Sequence, residues 1–183
     1  MSETDLNTPG GGSEFTDYRT IYLESGSTVP NNPDLPLILY RDVMPDDVSE
    51  PASAFEKRYR NNDWGGTWRN GIFRYHHYHT TAHEVLGIAR GQANVMFGGE
   101  NGKEVTVRSG DVAVLPAGTG HKNLKSSSDL LVIGGYPEGQ SADLRRADGS
   151  YSEKTLGTIT SVPVPDNDPL FGSDGPLPRT WET

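Results

Sequence analysis

The chain has 183 residues and a mass of 19.9 kDa, the size of one ordinary domain able to bury roughly 70% of its extended surface. Only 33% of residues are hydrophobic, mean hydropathy is -0.62, and no apolar run approaches the roughly 20 residues of a membrane-spanning helix, so a transmembrane protein is not expected. Zero cysteines exclude thiolate metal sites, iron-sulfur clusters and a cysteine nucleophile, and a net charge of -9 disfavours nucleic acid and anionic lipid as partners.

Residues 1–15 are polar, with Gly10, Gly11 and Gly12 in a row, and are expected to form a flexible tail. They lack the basic end and apolar stretch of a secretory leader, which makes the cytoplasm the expected address. Residues 16–183 are expected to form a single domain. Its 22 glycines and 13 prolines punctuate short apolar or alternating runs: 21–23, 35–40, 68–75, 85–89, 93–97, 105–107, 112–115 and 130–133. That rhythm predicts a β-sandwich or small barrel. One helix is expected near 51–62, where Ser53 and Glu56 have capping-box spacing and Phe55 and Tyr59 lie one turn apart. Asn101-Gly102 is placed to reverse a hairpin. Beyond Ser161, Pro163, Pro165, Pro169, Pro176 and Pro178 forbid central strands, while Leu170, Phe171 and Trp181 offer anchors, which predicts an extended segment at 161–183 wrapped over the barrel.

All five histidines fall between His76 and His121. On a strand His77 and His79 project from one face and His76 from the other. Glu84 follows after a short turn, so its carboxylate is expected to return to the same patch from the neighbouring antiparallel strand.

Gly71, five residues, His77, one residue, His79, four residues, Glu84, six residues, Gly91: this spacing resembles the first motif of the cupin superfamily. Gly110, five residues, Pro116, one residue, Gly118, two residues, His121 resembles the second. The asparagine that ends the second motif has no counterpart, because position 125 is Lys125. The motif core spans 71–121. Val29-Pro30-Asn31-Asn32 and the stretches 79–87, 115–121 and 162–169 extend the likeness to small single-domain bacterial cupins of unassigned activity. The resemblance implies an all-β, cupin-type double-stranded β-helix, or jelly roll. It also implies one divalent metal ion per chain held by His77, His79, Glu84 and His121. Three imidazoles and a carboxylate suit Fe, Mn, Ni or Zn, and an octahedral ion would keep two positions open.

His76 is expected to pack outside the pocket. His83 is weighed as a ligand but assigned a supporting or surface place, and Phe73 and Tyr75 are expected to line the cavity as packing residues. Three readings of function follow. The first is a metal-dependent enzyme of the dioxygenase or isomerase type acting on a small molecule inside the barrel; the second is a non-catalytic binder of metal or ligand. The third is a metal-free isomerase or epimerase using His77 or His121 as a base. Exposed sheet edges predict a homodimer.

Overall fold

Short apolar runs separated by glycine and proline leave little room for helix, and strands dominate the computed structural model, which describes residues 17–182. The expected tail at 1–15 lies outside the described residues. In chain order the elements are β1 (Asp17–Ile21), β2 (Leu37–Arg41), α1 (Pro51–Asn61), β3 (Trp64–Asn70), β4 (His77–Tyr78), β5 (Glu84–Arg90) and β6 (Gln92–Phe97). There follow β7 (Lys103–Arg108), β8 (Val112–Leu115), β9 (His121–Ser126), β10 (Leu131–Pro137), β11 (Arg145–Arg146), α2 (Glu153–Thr160) and α3 (Pro176–Thr180). Two antiparallel sheets, ordered β1-β2-β8-β5-β10-β3 and β11-β4-β9-β6-β7, form the all-β jelly roll. Among the described residues no helix is long and apolar enough to cross a membrane.

The central strands of the larger sheet are buried on both faces, which is why β2 and β8 read as unbroken apolar runs rather than alternating ones. Between the sheets, Leu37, Leu39, Leu86 and Ile88 meet Val95, Phe97, Val105 and Val107. On the outer face, Ile38, Tyr40, Val114 and Ile133 pack under Phe55 and Tyr59 of α1 and under Leu177 and Trp181 of the C-terminal segment.

Several local expectations change. The capping box does not form: Pro51 opens α1 behind Glu50, which makes no side-chain cap, and Ser53 and Glu56 both engage Arg69 of β3. The β6–β7 hairpin exists, but its positive φ values fall at Gly98 and Gly99, not at Asn101-Gly102. The run 68–75 straddles the end of β3, and its later half is irregular. The helix at 51–61 is not alone: the segment expected to be extended carries α3, with α2 just before it.

Candidate metal centre

His77 of β4 and His121 of β9 are direct cross-strand partners. His79 follows two residues after His77, and the corner before β9 is tied to it, since the Gly118 amide donates to the His79 carbonyl at 2.7 Å. Gly118 has φ +91°, and a Cβ there would lie 2.7 Å from the Asn31 carbonyl oxygen, so the corner requires glycine. Glu84 does not arrive from a strand beside β4. It opens β5 in the larger sheet, so its carboxylate meets the histidines from across the barrel.

The three imidazoles offer nitrogens within 4.8 Å of one another. His77 Nδ1 and His121 Nδ1 each lie 3.0 Å from a backbone carbonyl, of Tyr75 and Thr119, and His79 Nδ1 meets the Asp143 carbonyl. A carbonyl only accepts, so each Nδ1 carries the hydrogen and each neutral ring keeps a lone pair on Nε2. Glu84 Oε2 lies 3.2 Å from His79 Nε2 and 3.4 Å from His121 Nε2, yet it is buried without hydrogen-bond geometry to any donor. Lone pairs gathered beside a carboxylate oxygen repel unless a cation, a proton on His79 or a metal ion in its place, stands among them. Two ligands bound at right angles to one first-row ion lie about 3 Å apart, given bonds of about 2.1 Å, and these separations fit that requirement. His77, His79 and His121 could therefore hold a divalent ion, and Glu84 approaches two of them without joining that 4.8 Å group.

Electrostatics tie the groups together. Burial opposes charge on His79, but the Glu84 carboxylate more than offsets it and raises the imidazole to about 9. Burial also presses Glu84 upward, and His79 and His121 hold it well below the usual carboxylate range. His77 is lowered to about 3 by burial first and by His121 next.

A cavity of about 270 Å³ opens beside the cluster, walled by Trp68, Ile72, Phe73, Leu86 and Tyr136. Sequence reasoning missed Tyr136. A register shift between Gly134 and Tyr136 marks a bulge in β10, which re-aims the phenol inward, and the pair Gly134-Gly135 within an apolar strand was its available signal. The Trp68 indole donates to the Tyr136 oxygen at 2.9 Å. Burial first and Glu84 next push the Tyr136 hydroxyl up to about 12.

Phe73 lines the cavity and is 46% exposed at its mouth, whereas Tyr75 stacks on Phe73 at 4.9 Å and meets His77 edge-on. His76 stands half-buried, apart from the cluster. His83 is fully buried elsewhere: its Nδ1 accepts from the Ala117 amide at 2.9 Å, its ring lies 4.9 Å from Trp181, and burial lowers it to about 4. Asn123 is buried on β9, where its amide donates to Ser126, and is not a cavity wall.

Residues 69–136 match the family model described as Cupin. The chain is 36% identical over 163 residues to the uncharacterized protein YjlB of Bacillus subtilis (strain 168), an alignment covering 89% of this chain and 96% of that one. Among solved structures, a DUF861 family protein of Thermotoga maritima is 23% identical over 51% of this chain and 92% of its own, with a TM-score of 0.30. Oxalate decarboxylase of Bacillus subtilis is 17% identical over 61% of this chain and 23% of its own, with a TM-score of 0.33.

Proposed function

The chain belongs to the cupin superfamily, and from that premise we propose that it is a divalent-metal-dependent enzyme, of the dioxygenase or isomerase type, acting on a small molecule in the barrel cavity. The observation that carries the reading is the gathering of three imidazole nitrogens within 4.8 Å of one another, with a buried Glu84 oxygen 3.2 and 3.4 Å from two of them. His77, His79, Glu84 and His121 are the ligands of one ion per chain, of Fe, Mn, Ni or Zn. When bound, the ion supplies Lewis-acid polarisation of a ligand oxygen. The protein's own part is to fix the imidazoles through the carbonyls of Tyr75, Asp143 and Thr119, and to shield the cavity with Trp68, Ile72 and Leu86.

Elemental analysis of protein expressed in supplemented medium should find about one metal per chain; well below one would favour the metal-free isomerase. His79→Ala and His121→Ala should each lose the ion while keeping the circular dichroism of the barrel, because the two apolar layers are independent of the ligands. Stoichiometric metal in both variants would overturn the ligand set. Apart from the four ligands, Tyr136 is the one cavity wall able to move a proton, which favours a second reading as a non-catalytic binder. Turnover or oxygen uptake across aromatic, keto-acid and sugar substrates separates the two.

The same reading takes residues 16–183 as one domain of a cytoplasmic homodimer joined through a sheet edge or the terminal segments. Light scattering should return about twice 19.9 kDa, and the monomer mass would reject the dimer.

A further inference from the structure

The cavity walls differ in character from the centre they enclose. Glu84 is the one lining residue with a formal negative charge, and none of the lining residues is a lysine or arginine. Ile72, Leu86, Phe73 and the Trp68 ring present carbon to the space, and Asn70 and Tyr136 are its polar side chains beyond the ligands. The Trp68 indole has a single N–H, which it spends on the Tyr136 oxygen. Tyr136 thus accepts from behind, and its own hydrogen is left for the side it shares with Glu84, where Glu84 and a ligand oxygen are its alternative acceptors. A ligand pocket ordinarily measures roughly 300–1,000 Å³, so about 270 Å³ admits a compact molecule and leaves no room for a nucleotide or a disaccharide.

From this lining we infer that the site selects a small, apolar-bodied monoanion, a carboxylate or 2-oxo carboxylate, whose oxygens face the centre while one accepts a hydrogen bond from Tyr136. The inference rests on the metal reading above and deepens it. A divalent ion and the Glu84 carboxylate leave one net positive charge, which one anionic group neutralises. Within the cavity a second anionic group would lie against Ile72 and Leu86, where no lining residue is a cation, and buried unpaired charge is strongly disfavoured. A polyhydroxylated ligand fails for a related reason: its hydroxyls would lose water and find carbon. The mouth fits an incoming anion with an apolar tail. Phe73 lines it and stacks at 12° on Tyr75, which is outside the lining, and the exposed Arg146 guanidinium stands 3.8 Å from the centre of the Tyr75 ring, one aromatic ring away from the entrance.

The test uses the full chain loaded with Mn(II) at pH 7.5, with binding followed by calorimetry and by the electron paramagnetic resonance of the ion. Two probes share a 2-oxo acid head and differ in the tail: 4-methyl-2-oxopentanoate ends in a branched alkyl group and 2-oxoglutarate in a second carboxylate. Glucose is the third. The alkyl acid should bind at least about tenfold more tightly than 2-oxoglutarate and alter the resonance, and glucose should do neither. Tyr136→Phe should weaken the alkyl acid by about tenfold while leaving Mn(II) stoichiometric. Equal or tighter binding of 2-oxoglutarate, or unchanged affinity in Tyr136→Phe, overturns the inference. Protein that takes up Mn(II) but binds none of the probes overturns it alone; protein that takes up no Mn(II), Fe(II), Ni(II) or Zn(II) overturns the centre and the inference together.

Discussion

At His79 two protonation questions meet on one ring. Its Nδ1 hydrogen is committed to the Asp143 carbonyl, so any further proton goes to Nε2, facing Glu84. In the metal-free protein that proton is the cluster's own cation, and the carboxylate raises the imidazole to about 9. A folded value above the ordinary histidine value of about 6.5 gives a stabilisation complete below about pH 6.5 and lost as pH rises through about 9. Chelated protein should accordingly show a falling denaturation midpoint across that window, whereas the metal-loaded form should stay flatter because the ion replaces the proton. Loading at pH 7.5 should release about one proton per chain, read from binding heats in buffers of different ionisation enthalpy. No buffer dependence would mean that His79 is already neutral and that the ion displaces nothing there. His77, lowered to about 3 by burial and by His121, adds no proton in this range.

At the scale of elements, the bulge in β10 shows how a strand defect makes a site. Gly134 lies beneath the Trp68 ring, and a Cβ there would meet indole atoms at 2.0 to 2.5 Å. Gly134→Ala should therefore tilt the indole, break its bond to Tyr136 and cost about 1–3 kcal/mol, typical of overpacking. A lowered denaturant midpoint with a shifted tryptophan emission checks it, and wild-type values for both would show that the ring moves freely. The glycine pair hinted at the bulge, but the bond between Trp68 and Tyr136 was not legible locally, because the two are 68 residues apart and meet only through β3–β10 pairing. What the sequence did carry were elements whose burial shows as pattern: β2, β5, β6, β8 and the Phe55–Tyr59 face of α1. Strand β9 was missed because its buried residues, His121 and Asn123, are polar. Helix α3 was hidden because Pro176, read only as forbidding a central strand, opens a helix at the first-turn position, where a missing amide hydrogen costs nothing. Motif spacing pointed to His77, His79 and His121, which the structure brings together, but not to the route by which Glu84 reaches them. Spacing along the chain does not say which of two facing sheets a strand will join.

For the molecule as a whole, the centre lies among residues from both sheets, and the larger sheet is held from outside by the chain's own C-terminal segment. Asp168, fully buried, gathers that segment: its carboxylate accepts from the Tyr40 hydroxyl and from the amides of Leu170, Phe171 and Leu177. The Trp181 indole donates to the Pro36 carbonyl and the Trp64 indole to the Asn167 carbonyl, both at 2.9 Å, so the contacts grip two separate parts of the outer layer. Leu170, Leu177 and Trp181 are buried, and each such side chain is worth roughly 2 kcal/mol in area removed from water. Together they rival the total stability of a domain, about 5–15 kcal/mol. Deleting residues 164–183 should therefore do more than loosen a terminus. It uncovers Ile38, Tyr40 and Trp64 and removes the acceptor of the Tyr40 hydroxyl, so the shortened chain should bind a hydrophobic dye and lose its cooperative thermal transition. If the shortened chain instead melts cooperatively within a few degrees of the full chain, the outer layer is a covering only, and the jelly roll must draw its stability from the layer between the sheets.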